Sequence, residues 1–151
     1  MKKRIFTKRR IFLTIIVVLL GIQFIRIDKS QPPFNPVNDI ISITQPEAEL
    51  AATFKSACYD CHSYETEYPW YADIAPVSWW LKKHINEARE ALNFSEWGNL
   101  TNDEKGEKVE EAIDMIEKRW MPIGSFKLMH PEARLTDVQR KAMVEWMKST
   151  L

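Results

Sequence analysis

The chain reads as an all-α protein, a helical domain preceded by a single N-terminal transmembrane helix. Three observations predict this class. Apolar residues recur at three- and four-residue steps from Leu50 onward, which is helical spacing. A basic head, Met1 to Arg10, runs into an almost wholly apolar stretch, Ile11 to Ile25. The sequence C-x-x-C-H at 58–62 then lies in a helical pattern with no strand-rich sequence around it. A chain of 151 residues suffices for one modest domain plus a targeting segment. The boundaries predicted are 1–27 for head and anchor, 28–46 for a proline-rich spacer, and 47–151 for the domain.

The apolar stretch is short for a spanning helix, which wants about 17 to 25 residues. Arg10 and Arg26 can snorkel to the two interfaces and lengthen it. The segment just after it, Arg26-Ile27-Asp28-Lys29, lacks the small residues of a signal-peptide cleavage site, so an uncleaved anchor is expected. The basic N-terminal flank places the head in the cytoplasm and the domain outside. The expectation is a single-pass protein of a bacterial inner membrane with its domain in the periplasm.

Pro32, Pro33 and Pro36 make the next stretch extended. Pro46 can open the first domain helix, on which Leu50, Ala51, Phe54 and Ala57 share a face and run into the cysteines. Val77, Leu81, Ile85, Ala88 and Leu92 form the stripe of a second helix, to about Asn93. Thr101 and Glu104 fit a capping box that opens a third. That helix has Val109, Ile113, Ile116 and Trp120 on its apolar side and Pro122 as its stop. Thr136 and Gln139 open the last helix, Asp137 to about Lys148, with Val138, Ala142, Met143, Trp146 and Met147 expected to face inward.

Cys58, Cys61 and His62 carry the chemistry. Two thiols one helical turn apart can add to the two vinyl groups of haem, and the adjoining imidazole can bind its iron. The cofactor expected is haem c, one per chain, covalently attached. A zinc site wants about four ligands, whereas this chain has two cysteines and, besides His62, only His84 and His130. A redox dithiol would want a βαβ setting, and a disulfide across three helical residues has poor geometry. A sixth iron ligand has candidates in Met121, Met129, His130 and His84. Met121 stands at a helix break beside a proline, in a loop that could fold over the ring; Met115, Met143 and Met147 read as core filler. Trp70 and Tyr71, in the aromatic stretch after the motif, have the N–H and O–H groups suited to haem propionates.

Charge narrows the partners. Seven of the 21 basic residues precede the first acidic one, Asp28, leaving 14 basic against 21 acidic beyond it. Such a surface does not favour phosphates, so no nucleic acid is expected, and a basic redox partner protein would be steered towards it.

Several separated pieces give the chain a family likeness: CYDCHS at 58–63, YPWYADIAPVSWW at 68–80, His84 with LNFSEW at 92–97, Met121-Pro122, and HPEARLT at 130–136 before a Trp-bearing terminal helix. Over roughly residues 40–150 it resembles the haem-binding domain family of small bacterial c-type cytochromes. The resemblance implies a cytochrome c-like helical fold around one covalent haem. In cytochromes of this general kind the methionine of a Met-Pro pair commonly supplies the sixth ligand, which here is Met121, with His84 and His130 kept as ligands or propionate partners. The expected function is membrane-anchored, single-electron transfer by a carrier rather than a catalyst. The rival is a haem enzyme or gas sensor with an open sixth position.

Overall fold

The computed structural model describes residues 2–151, with side chains from Thr7 onward; Met1 and the side chains of residues 2–6 of the basic head lie outside it. The elements are α1 (Lys2–Gly21), α2 (Ile40–Thr44), α3 (Ala48–Phe54), a π-helical turn (Lys55–Tyr59), α4 (Asp60–His62), α5 (Val77–Ala91), α6 (Asn102–Glu117), α7 (Gly124–Met129) and α8 (Asp137–Ser149). Short 3-10 turns lie at Ile22–Phe24, Trp70–Asp73, Phe94–Asn99 and Pro131–Ala133. No strand occurs among the described residues, in keeping with the all-α expectation. The chain divides into two compact units, one made of the segments up to Ser30 and Tyr68–His84, the other of Gln31–Glu67 and Ile85–Leu151.

The transmembrane helix is not found. No helix among the described residues is long and apolar enough to cross a membrane. The reason lies in where α1 begins and ends. Lys8, Arg9 and Arg10 are part of the same helix as the apolar run, and the α-helix stops at Gly21. Its apolar part, Ile11 to Gly21, covers about 16 Å at ~1.5 Å per residue, against a hydrocarbon core of about 30 Å. Beyond it the chain turns through Ile22–Phe24, and polar bonds within the first unit fix the segment from Gln23 to Lys29. The Gln23 side chain donates to the Ala75 carbonyl (2.9 Å) and accepts from the Ala75 amide (3.0 Å). Trp79 Nε1 donates to the Ile25 carbonyl at 3.0 Å, and Arg26 and Lys29 both reach Asp73. The expected single-pass placement in an inner membrane, with a periplasmic domain, is overturned with the anchor on which it rested.

The second unit holds the main core. Ile40, Phe54, Tyr59, Phe94, Trp97, Val109, Ile116, Met143 and Met147 are buried together. Of the stretch read as a spacer, Asp39 and Ile40 are buried. Asp39 caps α2 by accepting from the Ser42 amide and also accepts the Tyr59 hydroxyl at 2.9 Å, so its buried carboxylate is satisfied. Gly98 is required by a close approach, because its amide donates to the Asn38 carbonyl and a Cβ there would sit 2.9 Å from the Asn38 Cα.

Both capping boxes form as expected, Thr101 with Glu104 and Thr136 with Gln139. Two helices differ from expectation at their edges. α6 ends at Glu117, and Arg119, in the left-handed region at φ 61°, takes the chain out of the helix before Pro122. Trp120 therefore lies beyond α6 and is exposed, and Val138, in the first turn of α8, is 79% exposed.

Candidate haem site

A helix with a wide turn in its middle delivers the motif. α3 runs into the π turn at Lys55–Tyr59 and on into α4, so Cys58 lies in the turn and Cys61 and His62 just after it. A π turn inserted in a helix re-aims the side chains beyond it and is frequent at functional sites. The chain then leaves α4 at Ser63, whose hydroxyl donates back to the Tyr59 carbonyl. Arg89 fastens this exit: its Nε donates to the Ser63 carbonyl (2.8 Å), and its Nη2 to Thr66 Oγ1 (2.9 Å) and Gln31 Oε1 (3.0 Å).

Cys58 and His62 open onto a cavity in the second unit, about 150 Å³ in volume. Phe54 and Ala57 join the two motif residues on one wall; Ala91, Leu92 and Phe94 form a second. α6 supplies Lys108, Glu111, Ala112, Met115 and Ile116, α8 supplies Met143 and Met147, and Met121, Pro122 and Leu135 come from the loops between them.

The imidazole of His62 is held in one orientation. Its Nδ1–H donates to the Leu92 carbonyl at 2.9 Å, which puts the lone pair on Nε2. The Phe94 ring lies 5.8 Å from it, itself stacked on Tyr59 at 5.4 Å. Burial pushes the imidazole below its ordinary 6.5, against the Leu92 and Ala88 carbonyls, so it is neutral at pH 7. Both cysteines are free. Burial, with a smaller repulsion from Cys61, pushes Cys58 up to about 12. Burial and then Asp60 push Cys61 up to about 11. They are thiols, not thiolates, at neutral pH.

These residues fit a haem. The cavity is apolar, one wall carries a cysteine and a histidine whose Nε2 holds the lone pair, and another part of the lining carries a thioether. A closed metal-ion site fits less well, since no group of three or more His, Cys, Asp or Glu among the described residues could hold an ion.

Of the residues singled out in the sequence, Cys58, His62 and Met121 line this cavity, and Cys61 comes one turn after Cys58. The others are placed elsewhere. Met129 is exposed at the end of α7 and is not part of the lining. His130 stacks on Phe126 at 4.2 Å and donates from Nδ1 to Glu132 Oε1 at 3.0 Å. His84 belongs to the first unit, with Nδ1 donating to the Trp80 carbonyl and its ring 4.0 Å from Trp80. Trp70 and Tyr71 are also in the first unit, Trp70 exposed and Tyr71 buried.

Phe54, expected on the face that runs into the cysteines, is part of the lining, but sequence reasoning missed most of the rest. Met115, Met143 and Met147, read as filler, face the cavity beside Met121. Lys108 and Glu111 are off the apolar side read for α6, yet 108, 111, 112 and 115 lie along one helical stripe. That stripe was concealed because its first two members are charged. Lys108 is further engaged through Nζ, which donates to the Ala91 carbonyl at the end of α5.

No curated protein and no solved structure matches the chain significantly. The model of the haem-binding domain family matches residues 17–149, which takes in the motif and the whole cavity lining. The chain belongs to the haem-binding domain family.

Proposed function

We propose that this haem-binding protein carries one haem, bonded through Cys58 and Cys61 with its iron held by His62 and Met121, and passes single electrons to and from partner proteins. The observation that carries this reading is the apolar cavity lined by Cys58, His62 and Met121, with the His62 ring fixed by the Leu92 carbonyl. Bound haem would supply reversible one-electron oxidation and reduction at its iron.

The protein's own groups do the rest. The two thiols would form the thioethers that hold the ring, and burial, which keeps them un-ionised, disfavours capture of a free metal ion, which needs thiolate. The Leu92 carbonyl selects the His62 tautomer whose Nε2 can ligate, and hydrogen bonding at Nδ1 makes that nitrogen more basic. A thioether from Met121 as the second protein ligand would hold the potential higher than a second imidazole. Phe54, Leu92, Phe94, Ile116, Met143 and Met147 keep water from the site. The acidic excess beyond Asp28 would favour a basic partner.

The test is an absorption spectrum of protein made with haem-attachment machinery present. The expected result is a low-spin reduced spectrum that carbon monoxide leaves unchanged. Met121→Ala should remove the thioether-to-iron band at the red end of the oxidised spectrum and admit carbon monoxide. A parent spectrum that shifts with carbon monoxide would indicate an open sixth position and hence a gas-binding or catalytic site. A band that survives in Met121→Ala would move the ligand to another methionine, with Met115 next because it shares the cavity.

A further inference from the structure

Arg140 lies on α8, whose Met143 and Met147 form part of the cavity wall. Its guanidinium reaches back to the turn that carries Met121. Nη1 donates to the Ile116 carbonyl at 2.6 Å and, over a longer 3.4 Å, to the Met121 carbonyl. One nitrogen thus joins the last turn of α6 to the backbone of the residue whose side chain enters the cavity. Between those two points the chain passes through Arg119 in the left-handed region, and the Trp120 and Met121 amides both donate to the Met115 carbonyl, at 3.0 and 3.2 Å. The Lys118 and Arg119 amides donate to the Asp114 and Ile116 carbonyls, so these backbone bonds tie the turn to α6, whereas Arg140 ties it to α8. The neighbouring Arg119–Asp137 pair, 2.6 Å, ties the same turn to α8, but both side chains are exposed and such pairs contribute little. Arg140 is the better shielded of the two ties. Its Nε is buried with no hydrogen-bond partner among the described residues, a cost accepted where the guanidinium is placed for its other contacts.

We propose that Arg140 is a positioning residue for the distal side of the site, fixing the 118–121 turn so that the Met121 thioether is held at the cavity. This rests on the reading of Met121 as the sixth ligand.

The experiment compares the haem-loaded parent with Arg140→Met and Arg140→Lys by two readouts. The first is the affinity of the oxidised protein for added imidazole, which must displace the thioether. The second is the rate of trypsin cleavage after Lys118 and Arg119, within the turn. Arg140→Met is expected to bind imidazole roughly 10- to 100-fold more tightly, the factor set by losing a charge-assisted hydrogen bond, and to be cut faster at those two sites. Arg140→Lys, which keeps a charged donor, should fall between it and the parent. If Arg140→Met does not fold, Arg140→Gln, too short to reach both carbonyls, is read the same way. An arginine with only a structural role would lower the melting temperature while imidazole affinity and cleavage stay at parental values, and that result overturns the proposal. Absence of the thioether band in the parent would instead overturn the Met121 assignment, and trypsin then decides whether Arg140 holds the turn.

Discussion

α1 and α6 are both long helices, yet they use their apolar residues in opposite ways. α1 carries an almost unbroken apolar run on every face, and Phe12, Val17 and Leu20 are each more than 60% exposed. α6 has few apolar residues among many charges, yet Val109 is fully buried and Ala112, Met115 and Ile116 line the cavity. Content of apolar residues did not decide burial. Their arrangement did, because an apolar stripe aligned at helical period lets α6 pack on α8 while its charges stay in water.

The contrast can be broken by substitution at either end. The largest effect is expected in the second unit's core, where Trp97→Ala should cost about 3–5 kcal/mol in denaturant unfolding. Val17→Ala in α1, equally apolar, should stay within about 0.5 kcal/mol. Equal losses at the two sites would show that α1 is as much a part of the stable fold as the core. Tyr59→Phe comes next. It leaves the buried Asp39 carboxylate without one of its donors and should cost about 1–3 kcal/mol by the same measurement. An unchanged midpoint would mean that the Ser42 contacts satisfy Asp39 alone.

Helix ends set a smaller scale. Thr136→Ala removes the acceptor for the Gln139 amide at the start of α8 and should cost about 1 kcal/mol. Smallest is the pH response of the α6 cap. The Thr101 amide and hydroxyl hold Glu104 below its ordinary 4.5, so the folded state favours the ionised form. The stabilisation is therefore complete above pH 4.5 and lost as the pH falls through the depressed folded value. Melting curves between pH 6 and 3 should show a shallower acid loss in Glu104→Gln than in the parent, and parallel curves would remove Glu104 from the account.

Legibility in the sequence divides along the same line. Contacts between near neighbours could be read directly. Thr101 with Glu104 and Thr136 with Gln139 are three residues apart, and Cys58, Cys61 and His62 are within five. Contacts decided by distant partners could not. The Leu92 carbonyl that orients His62 is 30 positions away and carries no side-chain signature. The Arg140 contact to Ile116 spans 24. Trp120 keeps the period of the α6 stripe, but the left-handed Arg119 ends the helix first. Prolines around Ile40 suggested a spacer and hid a short capped helix whose first residue is buried. The membrane anchor failed for the converse reason, since hydropathy counts apolar residues without registering that the helix stops at Gly21.

The most direct measurement is the intact mass of the chain, unfolded in acid, beside a Cys58→Ser, Cys61→Ser variant made under the same conditions. The account predicts a parent chain heavier by one haem and a variant at the bare polypeptide mass. A parent at bare mass, with both thiols open to an alkylating reagent, would contradict it.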